Sequence, residues 1–360
     1  MKEKLYDKKI ATFLGGVDSY YFFVDTCNLN EELYRFKYEK YINLGFLDNE
    51  AEFLGYSGKK SGFVGSWFRV DYINNGFVLP AFKIGFKDPT KQKNINNIYI
   101  QLLASGIYFF GFTGILDYVK SWLINFLNCD VTFADFINSR VDVNCFIGGF
   151  DFSKITNEMF HSTFLRCDTV KTFSGGNERL ETLYLGSRSG KHSFKIYDKK
   201  RELLSHSDNV DMAAIVKLKF LIDNGFKADD EIWNAEFSLK REFLKEFKTY
   251  TADDLLKNYY AIYNYCFSHL RFLGYDIEKI KRYKSSNSLN KYKTFYIWQE
   301  VQNNQKFSIE IQNSDVEREV TKYNSNIENN AYKRISKIIN NLVLSGFAID
   351  KDRFLKSAGF

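Results

Sequence analysis

Residues 182–203, TLYLGSRSGKHSFKIYDKKREL, contain two runs of alternating apolar and polar residues around a central turn. Leu183 and Leu185 share one side of the first run, and Phe194 and Ile196 share one side of the second. A period of two is typical of a strand that buries one face. The Ser-Gly-Lys between the runs supplies the turn, because glycine readily adopts positive φ. The stretch therefore predicts a β-hairpin with one apolar face and one polar face.

The polar face of this hairpin carries tyrosines among cations. Lys195, Tyr197 and Lys199 alternate along the second arm, while Tyr184 and Arg188 belong to the first. Such a tyrosine can be an ordinary surface residue, or a phenol whose ionised form is favoured by nearby positive charge. Tyr184 is a second candidate hydroxyl, although strand tyrosines usually serve packing.

Two other segments repeat the alternation and add carboxylates. In residues 139–147, SRVDVNCFI, Arg140 and Asp142 fall on the polar side, as does Glu236 in residues 233–240, WNAEFSLK. If all three apolar sets face one core, the three polar sets share the other face of one sheet. Carboxylates are ligands that Mg²⁺ or Mn²⁺ prefers. The alternative is an exposed sheet face whose charges pair across strands for modest stability.

The composition bounds the class of protein. The chain has 360 residues, of which 45% are apolar and 26% charged, with 36 Phe, 24 Tyr and a net charge of +6. These values indicate a globular protein and permit nucleic-acid binding without requiring it. The five cysteines are scattered without a C-x-x-C pair, which argues against a disulfide framework or zinc site. With no secretory signal and no apolar run of membrane-span length, we expect a cytoplasmic protein that does not associate with a membrane.

The order of predicted elements favours an α+β fold. We expect an antiparallel sheet with helices packed on one face, two similar lobes and a helical C-terminal region. The predicted divisions are an N-terminal lobe at 1–128, a catalytic lobe at 129–250 and a helical region at 251–360. Apolar spacing also predicts a first strand and several helices. The strand spans 17–26, and the helices span 30–44, 114–127, 153–167, 211–224, 251–273 and 330–345.

A basic segment with interleaved aromatics, residues 279–298, follows the long helix. Lys281, Arg282 and Lys284 stand among tyrosines there, a composition suited to phosphates and exposed bases. We expect these three residues, together with Arg140, Lys191 and Lys195, to contact DNA. The alternative is an amphipathic helix whose lysines are merely solvated.

The segments SRVDVNCFI, TLYLGSRSGKHSFKIYDKKREL and WNAEFSLKREFL, in this order and spacing, resemble the Rep_trans family. That family comprises rolling-circle replication initiators of small plasmids and related nicking enzymes; in length the chain is similar to the RstA-type initiators of Vibrio filamentous phages. The resemblance covers roughly residues 130–245 and implies the fold of Rep and HUH nucleases. This chain lacks the two-histidine metal hook of the wider HUH group.

The resemblance also implies a mechanism. Tyr197 would attack origin DNA, become linked to the 5′ phosphate and leave a free 3′ hydroxyl, which makes the protein a strand-nicking and rejoining endonuclease. Asp142 and Glu236 would hold Mg²⁺ or Mn²⁺, and Arg188 and Lys199 would lie beside the phosphate. Family members often have a basic residue where this chain has Asn234.

The partners implied by the resemblance are origin DNA, as a double-stranded hairpin and as a single strand, a second copy of the chain in a homodimer, and a host helicase.

Two other functions fit the same residues. One is a sequence-specific DNA-binding regulator without catalysis. The other is a metal-dependent nuclease that hydrolyses DNA with water and uses Tyr197 only as a DNA contact.

Overall fold

The computed structural model of the chain describes residues 11–24, 34–35, 53–56, 65–74, 77–87, 98–174, 179–204, 212–310 and 316–319. Of residues 53–56 and 65–68 it describes the backbone alone. The predicted helix 330–345 and most of the predicted helix 30–44 lie outside these ranges.

Within the described ranges, ten strands form one antiparallel sheet, in agreement with the expected α+β class, and two more form a small separate sheet. The strands are β1 (Thr12–Val24), β2 (Phe53–Tyr56), β3 (Gly65–Asn74), β4 (Phe77–Lys87), β5 (Ile98–Leu102), β6 (Phe136–Gly148), β7 (Phe160–Ser162), β8 (Val170–Ser174), β9 (Leu180–Leu185), β10 (His192–Asp198), β11 (Ile232–Lys240) and β12 (Leu270–Phe272). The order across the large sheet is β2-β3-β4-β5-β1-β6-β11-β10-β9-β8, and β7 pairs with β12.

The large sheet has the same strand order in its two halves, counted outward from the central β1–β6 pair. From β1 the chain passes to the edge strand β2 and returns inward through β3, β4 and β5. From β6 it passes to the edge strand β8 and returns through β9, β10 and β11. This equivalence agrees with the expectation of two similar lobes. The boundary at residue 128 stays a prediction, because β1 and β6 pair directly and the sheet is continuous across it.

Eight helices lie in the described part of the chain: α1 (Ala104–Phe110), α2 (Phe112–Leu127), α3 (Lys199–Leu204), α4 (Met212–Asp223), α5 (Arg241–Lys245), α6 (Ala252–His269), α7 (Ile277–Ser285) and α8 (Tyr296–Gln302). The predicted helices 114–127, 211–224 and 251–273 correspond to α2, α4 and α6. The N-terminus of α6 is fixed by a capping box, in which the Asp254 N–H donates to Thr251 Oγ1 at 3.3 Å and the Thr251 N–H donates to Asp254 Oδ2 at 3.0 Å. No described helix is both long and apolar enough to cross a membrane.

The predicted helix at 153–167 is wrong. This segment contains a short 3₁₀ turn at Asn157–Met159 followed by β7. Phe160 of β7 packs against Phe194 with ring centroids 5.9 Å apart, and β7 pairs with β12. Tertiary contacts with residues far along the chain therefore override the local helical spacing.

The two faces of the second half of the sheet differ. One face is apolar: Phe237 of β11 packs on Phe267 of α6, and Phe194 of β10 packs on Trp298 of α8. The other face carries the polar residues, and helices α1 and α4 cover one end of it, where the ring of Tyr108 lies 5.9 Å from that of Phe146. We call this second surface the polar face.

The expected positive φ at Gly190 is wrong, because the glycine of the 182–203 hairpin that adopts it is Gly186. Its φ is +80°, and its N–H donates to the Thr169 carbonyl at 2.9 Å. A Cβ at this position would lie 2.5 Å from Leu165 Cδ1. Only glycine therefore fits without strain or displacement of Leu165.

The Gly186→Ala variant should lose about 1–3 kcal/mol of unfolding free energy, because alanine is strained at positive φ and clashes with Leu165. Urea denaturation measures the loss. The matched control is Gly114→Ala in α2, whose Cβ would meet Phe110 Cβ at an ordinary 3.4 Å. That variant should be as stable as the parent or more stable; equal losses in the two variants would contradict the assignment.

Candidate active site

The strand register places the predicted polar residues side by side. Tyr184, Lys195, Glu236 and Asn144 are paired in turn across β9, β10, β11 and β6. Asp142 lies in the adjacent row, paired with Ser238. Because paired residues of neighbouring strands project to the same side, these side chains share the polar face.

An open cleft of about 230 Å³ lies on the polar face. Its walls carry four cations, one carboxylate, one phenol and two hydroxyls, from Arg140, Tyr184, Arg188, Ser193, Lys195, Glu236, Ser238 and Lys240. Neither Tyr197 nor Asp142 is among its lining residues. A surface with this excess of positive charge suits an anionic ligand.

Glu236 and Lys195 form an ion pair at the centre of the cleft. Their Nζ and Oε1 atoms are 3.0 Å apart, and the Glu236 side chain is 1% exposed. Burial raises the pKa of Glu236 to about 8, although Lys195 acts in the opposite direction. Burial alone would lower the pKa of Lys195, but Glu236 and Asp18 outweigh it and raise that pKa. Lys195 is therefore a permanent cation, whereas the charge of Glu236 depends on what surrounds it.

Asp142 is held by Arg140. The guanidinium donates from Nε to Oδ1 at 2.8 Å and from Nη2 to Oδ2 at 2.6 Å. Burial raises the pKa of Asp142 even though Arg140 lowers it. Each predicted metal ligand thus already has a basic partner.

Tyr197 lies below the cleft and is only 8% exposed. Its hydroxyl accepts hydrogen bonds from Asn234 Nδ2 at 2.8 Å and Lys199 Nζ at 3.2 Å, and donates to Glu236 Oε2 at 3.5 Å. Lys195, which lines the cleft, lies over the Tyr197 ring at 4.6 Å. The expectation of a favoured phenolate is wrong: burial, with Asp18 and Glu236, raises the pKa of Tyr197 well above its ordinary value.

Lys199 is buried as well, and the structure does not bring it to the cleft. Its ammonium lies 2.9 Å from Glu202 and 3.6 Å from Asp18, whose carboxylate also accepts a hydrogen bond from Tyr108. Burial would lower the pKa of Lys199, but Asp18 and Glu202 raise it. Lys199 therefore joins β1, β10 and α3 through a buried ionic network.

Tyr184 and Arg188 stand in the open part of the cleft. The Arg188 guanidinium carbon lies 4.0 Å from the centroid of the Tyr184 ring, and Lys240 Nζ donates to the Arg188 carbonyl at 2.9 Å. Among the residues that the structure describes, none forms a hydrogen bond with the Tyr184 hydroxyl. This phenol is thus accessible and lies directly beside a positive charge.

The other predicted DNA contacts lie elsewhere. Lys191 pairs with Glu246, and Lys281 lies 3.7 Å from Glu158. Helix α7, which carries Lys281, Arg282 and Lys284, contacts the turn at Asn157–Met159 that leads into β7 on the apolar face. These three cations therefore do not join the cleft.

The sequence analysis assigned no role to three residues that line the cleft, Ser193, Ser238 and Lys240. Their alternation with core residues on β10 and β11 was nevertheless visible in the sequence.

The donor atoms around Glu236 suit a hard divalent cation. Asn144 lies opposite Glu236 in the register, and its buried Oδ1 accepts no hydrogen bond from the described residues. With the carboxylates of Asp142 and Glu236 it would supply an all-oxygen set, the type that Mg²⁺ and Mn²⁺ prefer. Within the described ranges, no three His, Cys, Asp or Glu residues cluster as a metal site. Lys195 would have to leave Glu236 for a cation to bind there.

No protein-family model matches this sequence, and a search of curated proteins found no match. Among solved structures, the chain is similar to one described as a rolling circle replication initiator protein from Geobacillus stearothermophilus. The identity is 13% and the TM-score 0.46, over 86% of this chain and 100% of that one.

The Lys199→Met variant should lose about 3–5 kcal/mol of unfolding free energy, because it leaves the Asp18 carboxylate buried without its cation. Chemical denaturation measures this. Lys200→Met is the matched control, since Lys200 hydrogen-bonds, among the described residues, only to the Asp230 carbonyl at 3.1 Å and should contribute about 1 kcal/mol. If Lys199→Met instead kept full stability, the ionic network would not have the structural role described.

Asp18 should contribute stability that disappears in acid. Burial alone would raise its pKa, but Lys199 and Lys195 lower it from 3.8 to about 2. The folded state then binds its proton more weakly than the unfolded state, so the contribution is complete above the unfolded pKa and is lost as the pH falls through about 2. Asp18→Asn should be less stable than the parent by on the order of 2 kcal/mol at neutral pH. In urea titrations at decreasing pH this difference should shrink below about pH 4; a constant difference would contradict the pairing.

Proposed function

We propose that this chain nicks and rejoins DNA at the cleft on the polar face, by transferring a phosphodiester to a tyrosine hydroxyl, and that it initiates rolling-circle replication in this way. The observation that carries the proposal is the juxtaposition, in one open cleft, of an accessible phenol, four cations and a buried carboxylate. A phosphodiester is the ligand that uses all three.

The reaction exchanges one phosphoester bond for another. The phenol oxygen forms a bond to phosphorus while the bond from phosphorus to the 3′ oxygen breaks. The phenol proton leaves to solvent, and the departing 3′ oxygen takes a proton from solvent. The downstream strand remains linked through its 5′ phosphate, and attack by a 3′ hydroxyl on that link reverses the step. No oxidant, reductant or nucleotide is consumed.

The cations of the cleft have separate parts in this reaction. Arg188 lies next to the Tyr184 phenol, where it can bind a phosphate oxygen through two parallel hydrogen bonds. Lys195 and Lys240, which also line the cleft, add further positive charge. A Mg²⁺ or Mn²⁺ ion held by Asp142, Glu236 and Asn144 would polarise the phosphodiester.

Two tyrosines are candidates for the attacking group. Tyr197 is the nucleophile implied by the family resemblance, but its hydroxyl is buried and engaged by Asn234, Lys199 and Glu236. Tyr184 is accessible, unengaged by described residues and adjacent to Arg188. The geometry favours Tyr184, with Tyr197 supporting Lys195 and Glu236 from below.

The proposal includes origin DNA as substrate and the cytoplasm as the place of action. Homodimer formation and recruitment of a host helicase stay predictions from the resemblance. The rival functions differ in their products: a DNA-binding regulator would bind without cleavage, and a hydrolytic nuclease would cleave without a covalent link to protein.

Incubation with Mn²⁺ and a 3′-labelled pool of random single-stranded DNA should give a covalent protein–DNA adduct, because the downstream strand stays on the tyrosine. We expect Tyr184→Phe to lose the adduct and Tyr197→Phe to retain some of it. Denaturing gels and mass spectrometry of the linked peptide identify the residue. Addition of EDTA should abolish the adduct.

Tyr250→Phe is the matched control, since Tyr250 is exposed and lies outside the cleft. It should behave as the parent, while Glu236→Gln should bind DNA but form little adduct. An adduct at Tyr197 would keep the function and reassign the nucleophile. Cleavage without an adduct, or binding alone, would refute the proposed transfer.

A further inference from the structure

A row of polar side chains crosses six strands of the large sheet and joins its two halves. The register pairs are Lys240 with Arg140, Arg140 with Tyr21, Tyr21 with Gln101, Gln101 with Lys83, and Lys83 with Arg69. Each pair links neighbouring strands, from β11 through β6, β1, β5 and β4 to β3. At about 4.8 Å between strands, the row is roughly 24 Å long. We call it the transverse row.

Aromatic rings stand in the middle of the transverse row and beside it. The Arg140 guanidinium carbon lies 4.8 Å from the centroid of the Tyr21 ring, and Gln101 Nε2 donates to the Tyr21 hydroxyl at 3.0 Å. The ring of Tyr99 lies 6.3 Å from that of Tyr21. Burial raises the pKa of Tyr21 to about 12 although Arg140 lowers it, so this phenol is neutral. Both rings are partly exposed.

The cations of the transverse row retain capacity for an anion. Lys83 has no carboxylate partner among the residues that the structure describes. Arg140 uses Nε and Nη2 to hold Asp142, and Arg69 uses the same two nitrogens to hold Asp71 at 2.9 and 3.0 Å. Nη1 of each guanidinium makes no hydrogen bond to a residue that the structure describes, so it can bind a further acceptor.

The transverse row begins at the rim of the cleft. Arg140 and Lys240 belong to the row and also line the cleft. Helices α1 and α4 cover the polar face at Phe146, six residues along β6 from Arg140, so the row lies at the other end. A strand bound along the row would thus reach the cleft directly.

We propose that the transverse row binds single-stranded DNA and leads it across the N-terminal half of the sheet into the cleft. Cations spaced along a sheet contact successive phosphates, and the rings of Tyr21 and Tyr99 offer surfaces on which unpaired bases stack. The bases of a duplex are already stacked on one another and cannot use those rings. The inference rests on the proposed function only for the choice of DNA as ligand.

The test compares Lys83→Gln with Lys257→Gln, which removes the same charge from an exposed position on α6, at the opposite face of the sheet. Fluorescence anisotropy with a single-stranded oligonucleotide of about 16 nucleotides measures affinity at several salt concentrations. Lys83→Gln should weaken binding several-fold and lower the slope of log K against log salt by about 0.7. Lys257→Gln should bind as the parent does.

A second pair of variants tests the stacking. Tyr99→Leu should weaken binding about tenfold, and Tyr99→Phe, which keeps an aromatic ring, should restore it.

The outcomes separate this inference from the proposed function. Equal affinities for Lys83→Gln and Lys257→Gln, with a normal covalent adduct, would refute the transverse row and leave the cleft chemistry standing. Weaker binding by Lys83→Gln without any adduct in the parent would support the row and refute the nicking reaction. Tighter binding of a duplex than of the single strand would overturn the assignment of the ligand.

Discussion

The Lys195–Glu236 ion pair is the interaction on which the polar face depends. Glu236 is enclosed in the sheet, and a buried charge without compensation costs several kcal/mol. The pair sits between an open side, where Tyr184 and Arg188 meet solvent, and an enclosed side, where Tyr197 and Asn234 complete the hydrogen bonds of the carboxylate. Its ammonium covers the Tyr197 ring and also lines the cleft. The same contact therefore divides the face into an open surface, where the proposed chemistry would take place, and a buried supporting layer.

The equivalence of the two halves would allow one sheet to combine the two proposed tasks, cleavage of DNA and binding of a single strand. Both halves place a long first strand at the centre and return from the edge, so both present an alternating face on the same side. In the second half that face carries Glu236 and Asp142, whereas the equivalent strands of the first half contribute Gln101, Tyr21 and Lys83. Carboxylates repel DNA and are useful only where a cation compensates them. In the first half Arg69 compensates the Asp71 carboxylate, and Lys83 has no carboxylate partner among the described residues, so this half is suited to holding a polyanion.

Much of this arrangement could be predicted from the sequence, because strand alternation is a local property. The period of two in SRVDVNCFI, in the hairpin and in WNAEFSLK was sufficient to place Asp142, Glu236 and Tyr197 on one side of one sheet. The extent to which each side chain is buried was not predictable from the sequence. Tyr197 and Lys199 are buried because two helices cover that end of the face: α1, which is distant in the chain, and α4, which packs against it through Phe220 and Tyr108. The segment 153–167 had helical spacing, yet its Phe160 is held as a strand by contacts with Phe194 and β12.

The burial of Tyr197 also bears on which of the two phenols, Tyr197 or Tyr184, could react. For Tyr197 to attack a phosphodiester, Lys195 would have to leave its ring, and the hydroxyl would have to give up bonds from Asn234 and Lys199. Each such bond contributes about 1 kcal/mol or more, and a buried donor left without an acceptor costs more still. The high pKa of Tyr197 adds to this barrier, since its phenolate is further disfavoured by Asp18 and Glu236. The Tyr184 hydroxyl gives up no hydrogen bond to a described residue, and the movement of Lys195 away from Glu236 that metal binding requires is common to both tyrosines. Because every 1.4 kcal/mol corresponds to about a tenfold change in rate, even part of this difference would direct the proposed chemistry to Tyr184.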